Sequence, residues 1–145
     1  MSVAIIIVNY NSGALVSRCL KSLSEQTLCA DELVVVDNAS TDAESRSMLD
    51  AITNATVIRS DLNLGYGGAI NLAVQKLTTT DYIVCLNPDA FPEPDWLEAI
   101  VNAADSHPDH GSFASLMLRE DDISIVDGAG DELHFTGIPW RRFHK

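Results

Sequence analysis

Tyr82-Ile83-Val84-Cys85-Leu86-Asn87-Pro88-Asp89-Ala90 is a short apolar run that stops at two polar side chains set on either side of a proline. Tyr82–Leu86 has the length and the β-branched and aromatic content of a buried strand. Pro88 lacks a backbone N–H and fixes φ, so it ends the strand and stiffens the turn that carries Asn87 and Asp89. Taken alone, Asn-Pro-Asp is an ordinary turn sequence. Its place gives it another meaning, because open α/β sheets bind ligands in the crevice beyond the carboxyl ends of their strands. A carboxylate there suits a hard divalent cation held against a diphosphate, since Mg²⁺ takes one or two carboxylates plus substrate phosphates.

Upstream of this stretch, β-rich runs alternate with helix-period segments. Val3–Val8 reads as a buried strand, and Ser12 as the cap of a helix carrying Leu15, Cys19, Leu20 and Leu23. Leu33–Val36 is a second strand that ends at Asp37, and Thr41-x-x-Glu44 is a capping box opening a helix through Ala51. Thr56–Arg59 is a third strand. A glycine-rich loop, Asn63–Gly68, then leads into a helix with Ile70, Leu72, Ala73, Val74 and Leu77. Downstream, Pro94 takes the first helical position before Trp96, Leu97, Ile100 and Val101. This order predicts an α/β fold with a mostly parallel sheet and helices on both faces. After Gly111 the pattern weakens. Phe113–Leu118 and Ile123–Val126 read as a strand pair around the turn Arg119–Asp122, Gly128-Ala129-Gly130 as a loop, and Trp140–Lys145 has no period.

The bulk numbers narrow the partners. A chain of 145 residues buries roughly two-thirds of its unfolded surface as one domain. Its 46% hydrophobic and 21% charged content is that of a soluble globular protein. Val3–Val8 is too short for a signal segment and lacks basic residues before it, so a cytoplasmic location is expected. A formal charge of −12 argues against nucleic acid and anionic membrane as partners, which need Lys/Arg clusters. The same charge requires that any phosphate ligand be met by a cation or by backbone N–H groups. The three cysteines have no C-x-x-C spacing, and core packing is the expectation for Cys19 and Cys85. His107 and His110 flank a Pro-Asp turn without further ligands, which reads as exposed loop rather than a metal pair.

Two nucleotide motifs are missing. Gly65-x-Gly67 has Ile70 where a dinucleotide fingerprint needs its third glycine, and no Walker A loop occurs. A helix start at Gly65–Gly68 still offers N–H groups to an anion. What remains is a set of strand-end side chains: Tyr10, Asp37, Asn87 and Asp89. An aromatic face stacks on a base, a carboxylate accepts an N–H from the base edge, and a second carboxylate meets the diphosphate through a metal. Each also has a plainer reading, Tyr10 as a half-buried aromatic and Asp37 as an Asx turn with Asn38.

Together, VAIIIVNYN (Val3–Asn11), LVVVDNASTD (Leu33–Asp42), NLGYGGAIN (Asn63–Asn71) and LNPDA (Leu86–Ala90) resemble the successive motifs of family 2 glycosyltransferases. They look like its GT-A nucleotide-binding half, in the same order, over about Ser2 to Ile100. Asn-Pro-Asp in place of Asp-x-Asp resembles the rhamnosyltransferase branch of cell-wall and surface polysaccharide synthesis. The resemblance implies a Rossmann-like GT-A sheet and an inverting, metal-dependent transfer. The donor would be a UDP- or dTDP-linked sugar and the acceptor a saccharide or lipid-linked molecule, the latter placing the protein at the inner face of the membrane. It implies that Tyr10 stacks on the base, Asp37 bonds its imide edge, and Asn9 and Gly65 lie against the nucleotide. Asp89 would bind Mg²⁺ or Mn²⁺ and Asn87 assist the sugar or ribose. Residues 1–110 would form the donor-binding subdomain and 111–145 the start of the acceptor side.

The family's general base, a carboxylate well beyond the metal motif, has no counterpart here. Glu120, Asp121, Asp122, Asp131 and Glu132 read as solvated turn residues, so no catalytic base is assigned. The chain is therefore expected to be part of a longer transferase, or a short form that binds a nucleotide sugar without turnover. A nucleotidyltransferase would need a basic glycine-rich loop after the first strand, and Asn9–Gly13 has no Lys or Arg. An acceptor side that stops short would leave apolar surface for a second copy of the chain to cover, making a homo-oligomer.

Overall fold

The computed structural model describes residues 1–78 and 80–142. They pack as two compact units, Met1–Glu98 and Ala99–Lys145. The first contains β1 (Val3–Asn9), α1 (Ala14–Ser24), β2 (Glu32–Asn38), α2 (Ala43–Asp50), β3 (Thr56–Ser60), α3 (Gly65–Val74) and β4 (Tyr82–Leu86), and α4 (Trp96–Ser106) begins in it. The sheet is parallel throughout, in the order β3-β2-β1-β4. Right-handed crossovers from β1 through β2 to β3 put α1 and α2 on one face, and the return from β3 to β4 puts α3 on the other. The chain thus reverses direction between β1 and β4, the topological switch point at which such sheets open a crevice.

Burial follows this wiring. Ile6 and Val8 of β1 and Val34 and Val36 of β2 pack under Ala69 and Ala73 of α3. Ile5, Ile7 and Val35 face the other way and are just as buried. β4 is one of the two edge strands, and α3 lies over β1 and β2 rather than over it. Ile83 and Cys85 are exposed for that reason, which corrects the core expectation for Cys85, whereas Cys19 is fully buried.

The helix starts differ from the sequence reading. Ser12 gives α1 only its carbonyl, to Leu15 N–H at 3.1 Å. The cap position is Gly13 at φ 53°, a left-handed conformation that favours glycine; a Cβ there would meet only the end of the flexible Glu44 side chain, Oε2 at 2.8 Å. The Thr41-x-x-Glu44 box is replaced by Asp42, whose Oδ1 accepts Ser45 N–H at 2.7 Å. That bond holds the Asp42 carboxyl below the usual range. The cause of the shift in register is Asn11, whose Oδ1 takes both the Thr41 and Asp42 N–H groups at 2.8 and 3.2 Å. Gly65–Gly68 form the first turn of α3 rather than a loop before it.

In the second unit, β5 (Leu116–Leu118) pairs antiparallel with β6 (Val126–Ala129), and β7 (Asp131–Leu133) with β8 (Pro139–Arg141). Gly128 and Ala129, read as loop, are strand. Of the tail Trp140–Lys145, residues 143–145 lie outside the described residues. The two units divide within α4, while the boundary read from the sequence, after residue 110, marks where the helix–strand alternation stops. His107 and His110 are exposed, and no group of three metal-ligating side chains occurs among the described residues. No described helix is long and apolar enough to cross a membrane.

Candidate functional site

The carboxyl ends of the four strands form one rim, and its floor is polar. Asn9 is 0% exposed, and its Nδ2 donates to Ser40 Oγ at 3.0 Å and Asp37 Oδ1 at 3.5 Å. Asp37 is 5% exposed and also takes the Ser40 N–H on Oδ1, at 3.1 Å. Its other oxygen, Oδ2, faces Arg59 Nη1 at 3.6 Å, and Arg59 Nη2 is held by Asp50 at 2.7 Å. A buried carboxylate requires partners of this kind. Asn9 Oδ1 is buried without one. Tyr10, the next residue, is 49% exposed.

The glycine-rich turn is tied to the end of β2 by Asn38, a residue the sequence reading considered only as part of an Asx turn. Its Nδ2 donates to Asn63 Oδ1 at 3.0 Å and Gly65 C=O at 3.4 Å, while its Oδ1 accepts Leu64 N–H at 2.8 Å. Gly65 N–H is taken by Asn63 Oδ1 at 2.9 Å. No side chain caps α3, so the first-turn N–H groups beyond Gly65 are presented at its end. Burial raises the Tyr66 hydroxyl pKa and nearby Cys85 adds to it, which places this turn beside the end of β4.

The Asn87–Asp89 turn rests on α1. The Cys19 thiol donates to Asn87 C=O at 3.7 Å. Burial, and secondarily the charge of Asp89, push that thiol up to about 12, so it stays protonated and able to donate. Arg18 lies over the Phe91 ring, 3.7 Å from its centroid. Asp89 is exposed, with no ion pair to a basic side chain among the described residues. One hard oxygen donor matches an ion whose coordination is completed by phosphate and water, rather than an ion caged by protein.

The sequence-selected side chains therefore meet at one end of one unit. Tyr10 and Asp89 each lie three residues beyond the last registered pair of the adjacent strands, Ile7↔Leu86. Gly65 reaches the same rim through Asn38. A neighbouring cavity of about 590 Å³ is lined by Asn11, Ser12, Gly13, Arg18, Asp42 and Glu44, among others. Its lining brings two carboxylates, Asp42 and Glu44, together with the Arg18 guanidinium. The later acids belong to the second unit. Asp121 pairs with Arg119, Asp122 with Ser124, and Glu132 with Arg142 and Trp140.

The chain is similar to known proteins in sequence and in fold. The model of the family described as glycosyl transferase family 2 matches residues 4–133. An N-acetylglucosaminyl-diphospho-decaprenol L-rhamnosyltransferase of Mycobacterium tuberculosis is 28% identical over 135 residues, 86% of this chain and 44% of that protein. The mannosyltransferase PcManGT from Pyrobaculum calidifontis, solved in complex with GDP-Man and Mn²⁺, superposes with a TM-score of 0.64 at 27% identity, covering 84% of this chain and 37% of its own. TarS residues 1–349 from S. aureus in complex with UDP gives 0.62 at 25% identity, covering 74% and 33%. The chain spans less than half the length of these relatives.

Proposed function

The chain belongs to glycosyl transferase family 2, and on that premise we propose that it binds a nucleoside-diphosphate sugar in the crevice between the ends of β1 and β4 and supplies this donor site to glycosyl transfer. The observation that carries the reading is the convergence of Tyr10, Gly65, Asn87 and Asp89 at the switch point of the sheet. Tyr10 stacks on the base. Asn9 and Asp37 form the floor beneath it. Asp37 Oδ2 is bonded to no backbone group and has the Arg59 donor beside it, an acceptor next to a donor. That pair matches the imide edge of uracil or thymine, an N–H beside a C=O. The donor proposed on that match is a UDP- or dTDP-linked sugar.

The first-turn N–H groups of α3 beyond Gly65 face the nucleotide, Gly65 lies against it, and Asn87 bonds the sugar or ribose. Asp89 holds Mg²⁺ or Mn²⁺ against the diphosphate, which reconciles an anionic ligand with a chain of charge −12. When bound, such an ion supplies Lewis-acid screening of the charge that builds on the departing nucleoside diphosphate. The acceptor is a saccharide or a lipid-linked saccharide, attacked with inversion at the anomeric carbon. A lipid-linked acceptor, as in the name of the mycobacterial relative, places the work at the inner face of the membrane.

A second reading, a module that binds a sugar nucleotide without transferring it, is favoured by one observation: Asp121, Asp122 and Glu132 are engaged in local turns and hairpins of the second unit. Calorimetric titration with UDP, dTDP and GDP, with and without Mn²⁺, tests the donor site. Saturable binding of UDP or dTDP, tightened by Mn²⁺, is expected. Absence of binding to all three in a folded sample contradicts the reading, and preference for GDP contradicts the base assignment. Sugar transfer from a donor to an added acceptor would exclude the second reading.

A further inference from the structure

We propose that Gln26 is a positioning residue for the loop that carries Asp89, an assignment that rests on the donor-site reading above. Gln26 follows α1 closely and is 8% exposed. Its amide is spent entirely on backbone: Nε2 donates to Ser22 C=O at 3.2 Å and Glu93 C=O at 2.7 Å, and Oε1 accepts Leu97 N–H at 3.0 Å. Leu97 is the second residue of α4, where an N–H has no partner within its own helix. Gln26 therefore supplies a cap for α4 from a distant part of the chain. Thr27 continues the seam, with its N–H donating to Pro94 C=O at 2.8 Å.

Cys19 stands seven residues earlier, within α1, where its thiol meets Asn87 C=O at 3.7 Å. The segment is thus gripped at its entry by α1, through Cys19, and at its exit by the residue that follows the C-cap of α1, Gln26. Residues 87–95 between the two grips belong to neither helix nor strand, so the place of Asp89 is set by these anchors together with the Pro88 ring, the Ala90 N–H to Asn87 C=O bond at 3.1 Å and the Arg18–Phe91 contact. Cation coordination and diphosphate contact tolerate little displacement of that carboxylate. A misplacement of about 1 Å costs on the order of a hundredfold in comparable sites.

The test compares UDP affinity with and without Mn²⁺ in the wild type and in Gln26→Leu, which keeps much of the volume and removes the three side-chain hydrogen bonds. The tightening produced by Mn²⁺ is expected to fall about tenfold or more, by that displacement argument. Affinity for UDP alone, which reports stacking on Tyr10, stays at the wild-type value. A merely structural role would lower both together. Should Gln26→Leu fail to fold, Cys19→Ala loosens the entry grip and gives the same split at about twofold, the thiol being a weak donor. An undiminished Mn²⁺ effect in the folded variant, or equal losses with and without the ion, overturns the assignment alone. Absence of any Mn²⁺ effect in the wild type overturns the donor-site reading and this assignment together.

Discussion

The interior of the parallel sheet and its carboxyl rim are adjacent, yet they are built from opposite chemistry. Every residue of β1 is buried, and exposure then jumps from 0% at Asn9 to 49% at Tyr10 across a single peptide. Inside, apolar side chains are stabilised by leaving water. At the rim, an aromatic ring, a carboxylate and uncapped N–H groups are held in place without being needed for burial. The contrast teaches that the side chains of the proposed donor site sit where they perturb the core least, and that the two regions should respond separately to mutation.

The largest separation is expected at Asp89. Asp89→Ala removes the Mn²⁺-dependent part of UDP binding and leaves the thermal midpoint unchanged; a chain that no longer folds would make the rim structural and break the contrast. Ile6→Ala is its mirror image. Filling neither side of a buried cluster, it lowers stability by about 2–5 kcal/mol in a urea titration while the folded fraction keeps its UDP affinity. Tyr10→Ala weakens UDP binding by about 1–3 kcal/mol, equally with and without Mn²⁺, because stacking does not involve the ion. Unequal losses would tie the ring to the diphosphate instead of the base.

The smallest effect sharpens the boundary between the regions. Asp42 caps α2 near the rim, and its carboxyl is held below the usual range by the Ser45 N–H. A depressed folded value means that the charged form stabilises the fold. That contribution is complete above the ordinary carboxylate value of about 3.9 and disappears as pH falls through the lowered one. Asp42→Asn keeps a capping oxygen and removes the charge. Its thermal midpoint should lie slightly below the wild type at neutral pH, with the gap closing in acid. A gap that persists in acid would assign the effect to geometry rather than charge.

How much of this was legible in the sequence depends on how local the physics is. Tyr82–Leu86 was bounded correctly because Pro88 ends the strand within the chain itself. The parallel α/β order followed from periodicity, and the strand-end positions of Tyr10 and Asp89 from that order. The start of α2 was not legible, because Asn11, some 30 residues away, takes the N–H groups that would have set a different cap. Cys85 reads as core by composition and is exposed because its strand ends the sheet. Asn38 and Gln26 are ordinary polar residues in sequence. Their importance comes from partners 25 to 27 and 67 to 71 positions further along, which no local pattern encodes.

The most direct measurement is a crystal structure of the chain grown with UDP and Mn²⁺, with the ion located by its anomalous scattering. The account predicts the manganese peak on the Asp89 carboxylate, bridging to the diphosphate, with the uracil ring against Tyr10. A nucleotide seated away from the β1–β4 crevice, or a manganese ion ligated by other side chains, would contradict it.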